Sequence, residues 1–252
     1  MQERKKILVT GAAHRIGAEL VKALALDGWH VVLHYNNRHH EAATLCAELT
    51  DKGHVVDAVS ADLSQPDAVD KLMQAATESG PLQALINNAS LFSYDCAESF
   101  SADLINQHMA VNLSAPALLT KALHSQIPDG GKGCVINMLD AKLFGINPDY
   151  FSYTLSKAAF HALTQISAQA YAPRLRVNAI APGIVLPSGG QSQAEFEKSH
   201  KRNLLGQGAL IPEIVATMRL LLSASSMTGE VIILDGGAHL RPPARDVAFL
   251  EA

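Results

Sequence analysis

Cysteine is scarce and poorly placed for cross-linking. Cys46, Cys96 and Cys134 are scattered through 252 residues. Their odd number excludes a closed disulfide framework, and their spacing contains no CxxC zinc signature. No basic excess exists: 20 Lys and Arg stand against 24 Asp and Glu, for a formal net charge of −4. That excludes the electrostatic footprint of a nucleic-acid binder. No apolar run approaches the ~18–20 residues that span a bilayer. The first apolar stretch, Ile7, Leu8 and Val9, stops at Thr10-Gly11 and is too short for a signal-peptide core. Seventeen glycines and eleven prolines are too few for a collagenous or low-complexity chain. A 48% apolar composition is ample for a core. The expectation is a soluble, cytoplasmic protein with reduced thiols and no nucleic-acid or membrane partner. His39 and His40 lack a convincingly spaced third ligand, so no metal is expected either.

What is present is alternation. Residues 6–10 (KILVT) read as a buried strand, and 15–27 as a helix with apolar positions 16, 20, 21, 24 and 26 on one face, stopped by Gly28. Strands are expected at 30–35, 54–60, 82–88, 133–139, 175–180 and 230–234. Helices are expected at 40–51, 66–78, 102–127, 150–171, 193–205 and 212–224. Near-continuous apolar strands alternating with helices argue for α/β architecture, a parallel sheet covered on both faces. Seven strands make a single doubly wound Rossmann-type domain over 1–240. Residues 185–207 read as a substrate loop. The tail 241–252, with Pro242-Pro243, is expected on the surface or against a partner chain.

The turn after the first strand, Thr10-Gly11-Ala12-Ala13-His14-Arg15-Ile16-Gly17, opens a helix. Helix N-termini offer free N–H groups and the positive end of a dipole, and small residues let a pyrophosphate approach the backbone. Arg15 opposes the dipole there, a conflict that a bound anion would remove. The end of the second strand decides which dinucleotide fits. It reads His34-Tyr35-Asn36-Asn37-Arg38-His39-His40, with no acid before Glu41 to accept from a ribose 2′-OH. Arg15, His34 and Arg38 are expected around a 2′-phosphate, which makes the cofactor NADPH.

Tyr153 and Lys157 are one helical turn apart and share a face. An ammonium beside a phenol favours the phenolate and is expected to lower its pKa from ~10, readying it for proton exchange. Asp140 ends the fifth strand, at the carboxyl edge where ligands lie in such sheets.

These marks, with Ala61-Asp62-Leu63, Asn87-Asn88-Ala89-Ser90, Asn112, Arg176-Val177-Asn178 with Ala181-Pro182-Gly183, and Thr228-Gly229 before Asp235-Gly236-Gly237, make the chain resemble the short-chain dehydrogenase/reductase family over essentially its whole length. The resemblance implies that Asp62 and Leu63 flank the adenine and that Asn88 and Ala89 pack against the adenosine ribose. It implies that Asn112 holds a relay water near Lys157. Tyr153 and Lys157 would hold the nicotinamide ribose and handle the proton, with Pro182 and Gly183 beside the nicotinamide. Gly11, His14, Arg15, Ile16, Gly17, Asn36, Asn37, Ser90 and Ile184 complete the implied cofactor contacts.

Two departures narrow the resemblance. Arg15 stands where the family's loop has its second glycine, and Asp140 stands where it has a catalytic serine. Both are similar to the pteridine reductase branch, which includes bacterial dihydromonapterin reductases. So are Ser90 with Phe92, the segment LHYNNR and the terminal DGGAHLR. There Arg15, Ser90, Phe92, Asp140 and Tyr153 would hold the substrate, with Phe92 stacked on a pterin opposite the nicotinamide. Carboxylate Asp140 suits C=N reduction, in which no oxyanion develops. The implied protein is a homotetrameric NADPH-dependent reductase of pterins or dihydropterins, with dihydrofolate a possible substrate. A carbonyl reductase of 3-oxoacyl thioesters or keto sugars remains open, as does a non-catalytic NADP(H)-binding regulator. Arg241 is offset by about one residue from an arginine that in this branch approaches a neighbouring subunit's substrate site.

Arg38→Ala tests the cofactor reading. A charge-assisted phosphate contact is worth roughly 1.5–3 kcal/mol, so KM for NADPH should rise at least about tenfold while KM for NADH stays near its starting value. Equal wild-type turnover with the two cofactors contradicts it.

Overall fold

Alternation within the first strand sorts the core into two layers. The structure, a computed structural model, describes residues 4–187 and 191–249. In β1 (Lys6–Val9), Ile7 and Val9 enter one apolar cluster and Leu8 the other, as a two-residue period requires. α1 (Arg15–Leu26) closes the first layer with Leu20, Val21 and Leu24, and α8 (Ile211–Ser223) with Ile214, Met218 and Leu221. α2 (His39–Asp51) adds Ala42, Leu45 and Leu49. Across the sheet, α3 (Ala68–Thr77) supplies Val69 and Leu72, and α5 (Ala115–Gln126) supplies Leu119 and Leu123. Both faces of the sheet are covered, so its central strands read as unbroken apolar runs.

The remaining strands are β2 (His30–Tyr35), β3 (Val56–Ser60), β4 (Ala84–Asn87), β5 (Gly133–Met138), β6 (Leu175–Pro182) and β7 (Val231–Leu234). All seven are parallel, in the order β3-β2-β1-β4-β5-β6-β7. β1 therefore sits between β2 and β4, and the order reverses there. A crevice opens at such a point beyond the carboxyl ends of the strands.

Three expectations need revision. The helix expected over 102–127 is α4 (Ala102–Met109), a π-helical turn (Ala110–Ser114), then α5. The wider turn re-aims one position, and Asn112 inside it is fully buried. The helix expected over 193–205 is α7 (Gln193–His200), and it stops at Lys201. Edge strand β3 exposes Asp57, Ala58 and Ser60 rather than being buried on both faces. The expected substrate loop includes α7, while its residues 188–190 lie outside the described residues, as do 250–252 of the tail. Residues 241–249 fold against their own chain: Arg245 pairs with Asp149, and Phe249 lies 4.8 Å from Tyr94. α6 (Phe151–Ala170) runs beside β6 and carries Tyr153 and Lys157. Among the described residues, no helix is long and apolar enough to cross a membrane.

Gly17 is held to its identity by contact. A Cβ there would lie 2.4 Å from the Gly11 carbonyl oxygen and 2.8 Å from Ala12 Cα, and neither backbone atom can swing aside. Overpacking of this kind costs about 1–3 kcal/mol, so Gly17→Ala should lower the urea midpoint accordingly. An unchanged midpoint would mean that the loop and α1 separate freely.

Candidate active site

The first loop is tied down from β4. Thr10 Oγ1 accepts from the backbone N–H groups of Asn88 and Ala89, both at 3.0 Å. Asn88 Nδ2 donates to the carbonyls of Thr10 and Gly11, both at 2.9 Å. Gly11 adopts φ +60°, and a Cβ would fall 2.7 Å from Ala89 Cα. Two neighbouring strands thus press their loops into direct backbone contact. Arg15, in the place of a glycine, takes φ +55°, a left-handed conformation costing a residue with a side chain roughly 1–2 kcal/mol. Its Nη1 donates to the Pro187 carbonyl at 2.6 Å, joining the first loop to the segment after β6. No side chain caps α1, and its first turn holds no acid, so its leading amides face the crevice unneutralised.

His34 departs from its expected place near a phosphate. It is 2% exposed. Its Nδ1 accepts from Gly11 N–H at 3.1 Å, and its Nε2 donates to the Ala61 carbonyl at 3.0 Å. Burial lowers its pKa to about 4, so the ring is a neutral pin between the first loop and the end of β3. Arg38 is exposed and ion-paired with Glu41 at 2.6 Å, and Asn36 and Asn37 are exposed beside it. Burial, then the Arg38 and Arg15 charges, lower the pKa of His14, which marks this corner as electropositive. Asp62 accepts from Ser64 N–H and Oγ, and those hydrogen bonds hold its pKa below the usual range. Leu63 puts its side chain into the core with Val69 and Leu72.

At the opposite side of the crevice, Tyr153 donates its hydroxyl to Asp140 Oδ2 at 2.7 Å. Asp140 Oδ1 accepts from Lys142 N–H at 2.8 Å, starting a short 3-10 turn at Ala141–Phe144. Lys157 Nζ donates to the Met138 carbonyl at 2.7 Å and lies 5.8 Å from the Tyr153 ring centroid. The sequence suggested that Lys157 would lower the phenol's pKa. Instead burial, then the Asp140 charge, hold it well above the usual value of 10. Burial likewise raises Asp140 and pulls Lys157 down to about 8, with the Asp140 charge opposing. Desolvation, which penalises every charged form, prevails over the single ammonium. The pair is a protonated phenol on a carboxyl driven toward neutrality, hence an acid in waiting.

Asn112 has its side chain committed. Its amide donates to the Leu91 carbonyl at 3.0 Å and Ser156 Oγ at 2.9 Å, and accepts from Leu91 N–H at 2.7 Å. It thereby joins the segment bearing Ser90 and Phe92 to α6. Ser90 is exposed, with Oγ donating to the Leu91 carbonyl at 3.3 Å. Phe92 is 47% exposed, not a core residue, and its ring stands perpendicular to that of Tyr153 at 4.7 Å between centroids. Pro182 and Gly183 leave β6 beside β7, where Gly183 N–H donates to the Leu234 carbonyl at 2.8 Å. The Ile184 carbonyl pairs with His200 at 2.9 Å.

Four residues at this rim carried no sequence signal. Tyr150 stacks on Phe92, with centroids 4.3 Å apart and planes 16° apart. Tyr94 meets Tyr150 edge-on at 5.2 Å. Buried Asp95 accepts from Ser152 N–H at 2.9 Å, capping α6 just ahead of Tyr153. Buried Asp149 binds Arg245. Each partner is dozens of residues away, and no motif spacing announces it.

A family model described as short chain dehydrogenase matches residues 5–206. An uncharacterized oxidoreductase of Methylorubrum extorquens is 32% identical over 246 residues, covering 94% of this chain and 98% of that one. Dihydromonapterin reductase of Klebsiella pneumoniae is 27% identical over 249 residues, covering 95% and 99%. The crystal structure of FolM alternative dihydrofolate reductase 1 from Brucella canis, complexed with NADP, superimposes with a TM-score of 0.91 at 39% identity, covering 96% of each chain.

Tyr153→Phe deletes the hydroxyl that donates to Asp140 and leaves the first loop untouched. Turnover should fall roughly 10²–10⁴-fold, the usual worth of an acid–base group, while the dissociation constant for the dinucleotide, read by fluorescence titration, stays within about twofold. Near-normal turnover would remove Tyr153 from the chemistry.

Proposed function

The chain belongs to the short-chain dehydrogenase family, and on that premise we propose that it is an NADPH-dependent reductase of dihydropterins, adding a hydride to carbon and a proton to nitrogen of a ring C=N bond. The observation that carries the reading is the 2.7 Å Tyr153–Asp140 pair beneath the exposed Phe92 ring. A carbonyl reductase builds negative charge on oxygen, and a carboxylate next to its acid would repel that charge unless protonated. Reduction of C=N builds no oxyanion. It needs a proton at nitrogen, and burial, which shifts Asp140 toward its protonated form, favours delivering one. A flat heterocycle also needs a stacking partner, which Phe92 offers.

The residues present suit the cofactor. Gly11 and Gly17 let the loop backbone pack tightly where a Cβ would collide, the uncapped end of α1 supplies amide donors for a pyrophosphate, and Arg15 and Arg38 supply cations. NADPH provides the hydride. The chain's own groups do the rest. Ser90 and Arg15 offer hydrogen bonds to the amino and ring-nitrogen edge of a pterin. Tyr153 and Asp140 deliver the proton. Lys157, fixed on the Met138 carbonyl, lies where its charge bears on both. Relatives named for dihydromonapterin and dihydrofolate reduction support the substrate class, and the NADP complex supports the cofactor. A cytoplasmic homotetramer belongs to the same proposal. Exposed Leu118 on α5 and Leu155 and Ile166 on α6 support assembly, being apolar groups that a neighbouring subunit would cover.

NADPH absorbance should fall steadily on adding dihydrobiopterin, dihydromonapterin or dihydrofolate, and stay level with a 3-oxoacyl thioester. Asp140→Ser should cost about 10²-fold in pterin turnover. Oxidation with the thioester alone, or full pterin activity in Asp140→Ser, overturns the reading.

A further inference from the structure

The last described residues double back onto the rim of the site. Arg245 meets Asp149 with two parallel hydrogen bonds, Nε to Oδ2 at 2.8 Å and Nη2 to Oδ1 at 2.7 Å. The backbone N–H of Asp246 adds a third at 2.7 Å. Asp149 is 1% exposed, and the Arg245 contact holds its carboxyl below the usual pKa. A buried carboxylate left without such a partner is strongly unfavourable, so the tail and the Asp149 segment are held as one unit.

The residue after Asp149 is the strained one. Tyr150 takes φ +55°, a conformation that a bulky side chain keeps only where its surroundings overdetermine it. Asp149 is clamped on one side of it. On the other, Ser152 is fixed to Asp95 through N–H and Oγ. The ring itself lies flat on Phe92 at 4.3 Å, with Tyr94 at 5.2 Å, Phe249 of the tail at 6.2 Å and Lys142 Nζ at 5.6 Å. Lys142 also reaches Asp246 of the tail at 3.3 Å.

We propose that Arg245 is a positioning residue for the substrate ring: by clamping Asp149 from the C-terminal tail, it holds Tyr150 in its left-handed conformation behind Phe92. The inference rests on the dihydropterin reading for the identity of the ring that Phe92 receives. Tyr150 covers one face of Phe92 and leaves the rest of that ring for substrate. Releasing Asp149 lets Tyr150 return to an ordinary backbone angle, and Phe92 loses its backing. Neither the first loop nor the Tyr153–Asp140 pair contacts Arg245, so cofactor binding and the Tyr153–Asp140 hydrogen bond are spared.

The test pairs kinetics with a readout that needs no catalysis. In Arg245→Ala, KM for dihydropterin should rise about tenfold, with kcat and KM for NADPH within about twofold. Arg245→Lys, which keeps the charge but not the paired geometry, should fall between and serves if Arg245→Ala fails to fold. Tyr150→Gly accepts φ +55° without strain and lacks the ring, so it should show the same KM defect. Adding Arg245→Ala to it should then change nothing further, whereas a general structural role would make the two effects additive. In protein labelled with 3-fluorotyrosine, the fluorine resonance of Tyr150, assigned by its loss in Tyr150→Phe, should shift in Arg245→Ala and recover toward its original position in Arg245→Lys. A Tyr150 resonance unmoved in Arg245→Ala, or additive KM effects, overturns the proposal. Wild-type protein inactive on dihydropterins overturns the function proposed above, while the fluorine resonance still decides the role of Arg245.

Discussion

Everything at the site depends on β1 having parallel partners on both sides. Pairing with β2 and β4 sends the chain out of the sheet in opposite directions from one point. The first loop then lies across the end of β4, close enough that a methyl group at position 11 would collide with Ala89. That contact is why Asn88 and Thr10 exchange hydrogen bonds rather than facing solvent. It is also why His34 is recruited beneath the loop. A backbone bent sharply enough to present amides to an anion has buried polar groups of its own to satisfy, and each needs a partner.

On the other side of the crevice the controlling quantity is desolvation. Asp140, Tyr153 and Lys157 form a group in which every pKa moves toward the neutral species. Pairwise attraction alone would have the lysine charged, the aspartate charged and the phenol acidified. Removing water penalises all three charges together, and the 2.7 Å hydrogen bond places the shared proton between two oxygens of raised affinity.

Strand positions and the chemistry of the motifs were readable in the sequence because both are local. Apolar runs mark strands buried on two faces, and Tyr153 and Lys157 share a face by helical spacing alone. What was not readable is of two kinds. Hidden roles of polar residues form the first: His34 looks like a phosphate ligand until both its nitrogens are found occupied, and an unbroken helical pattern over 102–127 conceals the π turn that buries Asn112. Pairings across the fold form the second. Asp149 and Arg245 are 96 positions apart, and Asp95 and Ser152 are 57 apart. Hydrophobic periodicity carries no information about such partners, since it records only which face of an element is buried.

Those distant pairs converge on one short stretch, residues 147–152, between Asp140 and the body of α6. That stretch follows the 3-10 turn at Ala141–Phe144 and begins α6 at Phe151, just ahead of Tyr153. Tyr150 within it is left-handed, flanked by the Ser152–Asp95 pair on one side and the Asp149–Arg245 pair on the other. The same backbone angle turns the Tyr150 ring onto Phe92. One residue outside the motifs thus backs the Phe92 ring, and the tail reaches it without touching the first loop.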